Sequence, residues 1–205
     1  MARYTGPKVK ISRRLNVNIF ENDKGQRMLD RKPYPPGEHG RARRRQPSEY
    51  LLQLQEKQKA KHIYGLLERQ FANLYEEATR QQGVTGENLL RMLELRLDNV
   101  VFRAGWASTR PQARQFVGHG MVTVNGGKVD IPSYRVRKGD VVALTEKARG
   151  MIVIRHNLDT LDRRSPEWLE TGADDGFAAT VADLPTRPQI DVPVREQLIV
   201  ELYSK

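Results

Sequence analysis

The 205-residue sequence has no cysteine, which excludes disulfides, thiol catalysis and cysteine-ligated zinc. Its four histidines, at positions 39, 62, 119 and 156, are too scattered for a paired-histidine metal site. Long apolar runs are missing as well. Nothing approaches the roughly 20 residues of a spanning helix, and the start Met-Ala-Arg-Tyr-Thr-Gly lacks a signal-peptide hydrophobic stretch. A cytoplasmic protein without membrane insertion is therefore expected. There is also no P-loop and no nucleophile elbow, so no catalytic residue, metal, cofactor or small-molecule substrate is expected.

Negative charge is the other shortage. Lys and Arg total 35 against 25 Asp and Glu, a net charge of +10 with a pI near 10.0. An excess of that size needs a polyanion, and nucleic acid is the first candidate once membrane is set aside. Residues 1–50 carry 13 basic and 5 acidic side chains (net +8), residues 51–157 carry 17 and 10 (+7), and residues 158–205 carry 5 and 10 (−5). The polyanion should therefore meet the first three quarters of the chain, and the acidic end should serve structure or another protein.

The length suits one or two domains with a true hydrophobic core. Residues 1–46 mix Arg and Lys with Gly, Pro and Asn and show no sustained apolar period, which predicts an extended basic arm. Its interspersed Tyr4, Ile11, Leu15, Val17, Ile19, Phe20 and Tyr34 suggest that an RNA partner orders it. Ser48 is a candidate N-cap for a long helical segment that ends at Gly83. A second helix is expected from about Glu87 to Ala104, with Leu89, Leu90, Leu93, Leu97, Val100, Val101 and Ala104 on one face and Gly105 at its end. Ser108 is expected to cap a short helix whose buried stripe is Ala113, Phe116 and Val117. Alternating Val122, Val124, Val129 and Ile131 around Asn125-Gly126-Gly127 predict a β-hairpin. Further strands are expected at Tyr134–Arg137, Val141–Leu144 and Met151–Ile154. The polar stretch 159–193, with an apolar segment at Phe177–Leu184, carries no assignment. Val194, Leu198, Ile199 and Leu202 predict a terminal helix.

These elements predict an α+β protein in three parts. They are a basic arm at 1–46, a helical domain at 47–94 completed by 190–205, and an RNA-binding domain at 95–189 with its own small antiparallel sheet. Arg110 and Arg114, four residues apart, share one face of the short helix, and Arg96 with Arg103 lie along one edge of the preceding helix. With His119, Lys128, Arg135, Arg137 and Lys138 they can form a cationic surface. Arg43-Arg44-Arg45 offers three permanently charged guanidinium groups that suit phosphates. If Arg110 and Arg114 are RNA ligands, exchanging both for Glu should weaken binding by at least ~2 kcal/mol. On this reading the exchange leaves stability unchanged, since the apolar stripe anchors the helix.

The stretch LELRLDNVVFRAGWASTRPQARQFVGHGMVTVNGGKVDIPSYRVRKGD, residues 93–140, resembles the RNA-binding module of the ribosomal S-four family. The start RYTGPKVKISRRL, the loop PPGEHG and the end QLIVELYSK are similar to the same family. The resemblance implies a primary binder of small-subunit ribosomal RNA that nucleates assembly at a multi-helix junction of the five-prime domain. It also implies contact with ribosomal protein S-five, a part in decoding fidelity, and basic residues at the messenger RNA entry, for which Arg43, Arg44 and Arg45 are placed by position. Many family members bind zinc through cysteines in the arm, and this chain lacks those ligands. The full candidate RNA-binding set adds Arg3, Lys8, Lys10, Arg13 and Arg14 in the arm, and Thr109 and Gln112 in the short helix, to the residues already named.

The same module also occurs in RNA-modifying enzymes, and Arg96-Leu97-Asp98 mimics the Arg-Leu-Asp of a pseudouridine synthase. Here Asn99, Val100, Val101 and Phe102 continue a periodic helix, so a structural Asp98 paired with a nearby Arg is the better reading. A free-standing RNA-binding factor would need neither the acidic end nor the helical segment at 48–82.

Overall fold

In the computed structural model, which describes residues 4–42, 46–161, 165–172 and 176–204, the basic N-terminal segment is folded rather than extended. Helix α1 (Lys8–Leu15) packs on helix α2 (Asp23–Arg31), and a single 3-10 turn follows at Glu38–Arg41. The structure departs from the expected extended arm because a few anchors suffice. Leu15 and Ile19 are buried, and Asn22 caps α2 by accepting from the Gly25 N–H.

The chain divides into two units, one of residues 1–80 with 193–205 and one of residues 81–192. In the first, Ser48 caps α3 (Glu49–Ile63), its hydroxyl accepting from the Leu51 N–H at 3.3 Å. The expected single helical segment is two, because the chain turns at Gly65 (φ +66°) before α4 (Glu68–Arg80). Only glycine takes that left-handed conformation without steric cost. The terminal helix α10 (Glu196–Tyr203) lies against α3. Gln53 donates to Glu201 at 3.2 Å, Glu56 accepts from the Arg195 N–H at 3.0 Å, and the Tyr203 ring stacks on Tyr75 at 4.3 Å. Burial, helped by nearby Glu68, pushes the Tyr203 hydroxyl up to about 12.

The second unit opens with α5 (Thr85–Glu94), α6 (Leu97–Arg103) and α7 (Arg110–Gly118). β1 (Val122–Val124), β2 (Gly127–Lys128) and β3 (Val141–Leu144) follow, then α8 (Glu146–Arg149), α9 (Ile152–Thr160), β4 (Leu169–Thr171) and β5 (Ala178–Val181). The strands form one antiparallel sheet in the order β2-β1-β3-β5-β4. Val122 stands opposite Leu144, and Val142 is flanked by Val124 and Ala179, so these buried side chains share a face. With Leu97, Val101, Phe102, Trp106, Phe116 and Val117 they make one core. Each Val, Leu or Phe side chain fully buried there contributes on the order of 1.5–3 kcal/mol. The fold class is α+β, as expected.

Several elements differ from their sequence-based assignment. The helix expected over Glu87–Ala104 is broken at Leu95–Arg96, where Arg96 is extended (ψ 136°) and forms a single antiparallel bridge with Arg135. That bridge is all that stands of the strand expected at Tyr134–Arg137. The break is compensated by tertiary hydrogen bonds, the Leu97 N–H to Tyr134 O at 2.8 Å and the Val136 N–H to Leu95 O at 3.0 Å. Thr109, not Ser108, caps α7, accepting from the Gln112 N–H at 3.4 Å. Met151–Ile154 leads into a helix, and β2 stops at Lys128, short of Val129 and Ile131. The unassigned stretch supplies two of the five strands.

Candidate nucleic-acid interface

Two classes of basic side chain separate in the second unit. The first is turned inward around two carboxylates that occupy positions an amphipathic helix would give to apolar residues. Glu94, at 0% exposure, accepts two parallel hydrogen bonds from Arg103, both at 2.9 Å, and a third from Asn99 Nδ2 at 2.8 Å. Asn99 Oδ1 in turn accepts from Arg110 Nε at 3.0 Å, and the Arg110 guanidinium lies 4.2 Å from the centre of the Phe102 ring. Asp98 holds Arg96 through two bonds at 3.2 and 3.1 Å and Arg114 through a third at 3.0 Å. Planar guanidinium forks suit both bidentate pairs.

Asp98 is thus a structural pairing partner, and the Arg-Leu-Asp mimicry of a catalytic motif ends there. The same geometry revises the expectation that Arg110 and Arg114 could be reversed in charge at no cost to folding. Glu at 114 would face Asp98 across the 3.0 Å now spanned by an ion pair whose side chains are 15% and 7% exposed. Breaking such a buried pair costs about 3–5 kcal/mol. Thr109 and Gln112 form the start of α7, with Gln112 Oε1 accepting from both the N–H and the hydroxyl of Ser108 at 2.7 Å.

The second class faces out. His119, Lys128, Arg135, Arg137 and Lys138 are all exposed. The turn at Asn125-Gly126 (φ +50° and +82°) and the turn before β3 are tied together, since Asn125 Nδ2 donates to Asp140 Oδ1 at 2.9 Å and Asp140 Oδ2 accepts from the Arg137 N–H at 2.7 Å. Lys128 lies over Gly120 (φ +66°) at the end of α7, where any Cβ would collide with the lysine chain. Lys138 pairs with exposed Asp183 at 3.0 Å, and that ammonium holds the Asp183 carboxyl below the usual carboxylate range.

In the first unit Lys8, Lys10 and Arg14 are exposed on α1, with Lys8 5.3 Å from the Phe20 ring. Arg13 is used structurally, donating to the carbonyls of Tyr34 at 3.1 Å and Pro35 at 3.2 Å. Tyr34 is flanked by Arg13 and Arg41, 5.0 and 4.9 Å from its ring, and its hydroxyl accepts from Arg41 Nη2 at 3.1 Å. That bond, with the surrounding cations, holds the phenol below the usual tyrosine range. Tyr34 and exposed Arg41 were not among the sequence candidates, although they flank the Pro-Pro-Gly-Glu-His-Gly loop. Arg3, Arg43, Arg44 and Arg45 lie outside the described residues. Among the described residues there is no group of three or more His, Asp or Glu side chains able to hold a metal, and no helix long and apolar enough to cross a membrane.

Comparison with known proteins agrees with this architecture. Residues 3–94 match the model of the Ribosomal protein S4/S9 N-terminal domain, and residues 95–142 match that of the S4 domain. The chain is 55% identical over 206 residues to the small ribosomal subunit protein uS4 of Nocardia farcinica, and equally so to that of Saccharopolyspora erythraea. It is 52% identical over 209 residues to uS4 of Thermoanaerobacter sp. (strain X514), and each alignment takes in 100% of both chains. Two family models that meet at residue 94 and full-length relatives above half identity have one reading: the chain belongs to the uS4 family of ribosomal proteins.

Proposed function

We propose that this chain is a structural constituent of the small ribosomal subunit that binds its ribosomal RNA by shape, with phosphate and 2′-hydroxyl contacts dominating over base edges. A-form grooves hide most sequence information, which favours that mode. The observation that carries the proposal is the division of labour among the cations. Arg96, Arg103, Arg110 and Arg114 fasten α5, α6 and α7 together, and His119, Lys128, Arg135, Arg137 and Lys138 are left on the outside of that rigid unit. The chain is not an enzyme.

On this reading the protein nucleates subunit assembly by holding a multi-helix RNA junction, contributes to translational accuracy, touches ribosomal protein S-five, and works in the cytoplasm without zinc. The run at Arg43–Arg45, which follows the Pro-Pro-Gly-Glu-His-Gly loop in sequence, is the stretch proposed for the messenger RNA entry. Sequencing of RNA crosslinked to the protein in cells tests the proposal. Reads should concentrate on one junction of small-subunit ribosomal RNA, and an even spread over transfer and messenger RNA would overturn it.

A finer test uses the outward cations. The double exchange Lys128→Glu and Arg137→Glu is expected to weaken binding to the junction by about tenfold or more, since each removes a charge-assisted contact and adds repulsion. The melting temperature should stay at the parent value, as neither side chain has a described ion-pair partner to lose. Parent affinity at matched salt would remove this face from the interface.

A further inference from the structure

We propose that Asn125-Gly126 is a latent site of spontaneous deamidation that the fold protects through Asp140. The chemistry is general to Asn-Gly sequences. The Gly126 amide nitrogen, having lost its proton to solvent, attacks the Asn125 side-chain carbon. The bond to Nδ2 breaks and ammonia leaves, giving a cyclic imide. Water then opens either imide bond, yielding aspartate or isoaspartate. Glycine makes the step easy because no side chain hinders the incoming nitrogen.

Asn125 is exposed at the tip of a hairpin, so solvent and base have access. Its carboxamide is nevertheless held at both ends. Nδ2 donates to Asp140 Oδ1 at 2.9 Å, and Oδ1 accepts from the Val141 N–H at 2.9 Å. Attack requires the carboxamide to swing toward Gly126, which breaks both bonds. Asp140 is itself anchored by the Arg137 N–H at 2.7 Å, and the Asn125 N–H donates to Val141 O at 2.8 Å. Reaction therefore proceeds from a locally opened turn, at a rate scaled by the population of that state.

The product would not fit back. A carboxylate at position 125 would face the Asp140 carboxylate at hydrogen-bond distance with no proton between them, and isoaspartate would add a backbone carbon to a two-residue turn. The lesion would also add a negative charge to a turn that Asp140 ties to the one carrying Arg137 and Lys138. Chains kept unfolded are the ones that acquire it, and the folded protein is spared.

The full-length chain would be incubated at neutral pH and about 37 °C, folded in buffer and unfolded in guanidinium. The mass gain on the peptide containing Asn125 and its isoaspartate content would be followed. Folded protein is expected to react at least about tenfold more slowly than unfolded protein, and Asp140→Ala, with its circular dichroism unchanged, about tenfold faster than the folded parent, as fits the loss of two hydrogen bonds. If the alanine chain does not fold, Asp140→Ser, which keeps one oxygen near the turn, takes its place and should react faster than the parent. Equal rates in folded and unfolded parent would overturn the protection, and a folded Asp140 variant no faster than the parent would overturn the role of Asp140. Neither readout involves RNA, so failure here leaves the ribosomal reading intact.

Discussion

Raising monovalent salt from about 50 to about 200 mM is expected to weaken binding to the ribosomal RNA junction by roughly 10³- to 10⁵-fold, the loss that follows from 6 to 10 phosphate contacts. The structure supplies cations for that many contacts. Lys8, Lys10, Arg14, Lys128, Arg135, Arg137 and Lys138 are exposed candidates, and Arg41 joins them. Phosphates brought to these side chains release condensed counterions, and the entropy of that release falls as bulk salt rises. Arg96, Arg103 and Arg114 should add less to the slope because each already faces a buried carboxylate, Glu94 for Arg103 and Asp98 shared by Arg96 and Arg114. The measurement is a titration at four or five salt concentrations with the junction and with an unrelated transfer RNA. A slope corresponding to fewer than about three contacts, or equal affinity for both RNAs, would exclude the proposed mode.

The second large effect concerns folding. Glu94→Ala should destabilise the second unit by about 3–5 kcal/mol, because it leaves Arg103 and Asn99 without their shared buried acceptor. The Arg103 side chain is 13% exposed and Glu94 1%, so water cannot easily replace the lost carboxylate. For a chain of this size the shift in melting temperature would be about 10 °C or more. A paired exchange, Glu94→Leu with Arg103→Met, should cost much less, since it removes both charges and keeps apolar volume. A single variant that melts within about 2 °C of the parent would show that the network carries no stability.

Where a residue's role depends on its neighbours in sequence, the sequence was legible. The Asn125-Gly126 hairpin, the Ser48 cap and the Ala113, Phe116 and Val117 stripe follow from turn chemistry and 3.6-residue periodicity, and each stands in the structure. Where it depends on a distant partner, the sequence was silent or misleading. Apolar periodicity continues unbroken from Leu89 to Ala104, so nothing local marks the break at Arg96. It is made by the backbone of residues 132–136, some forty positions away.

Composition and pattern alone determined a net positive charge that calls for a polyanion, the absence of thiol chemistry, and a fold of helices beside a small antiparallel sheet. Those properties depend on which residues are present and on their short-range order. Which arginines are held by buried carboxylates and which stay on the surface was decided only by the tertiary structure. In sequence Arg96, Arg103, Arg110, Arg114, Arg135 and Arg137 are alike. Folding brings Glu94, Asp98 and Asn99 within 3.2 Å of the first four and leaves the last two exposed, because a buried carboxylate must find a charged donor and takes those within reach.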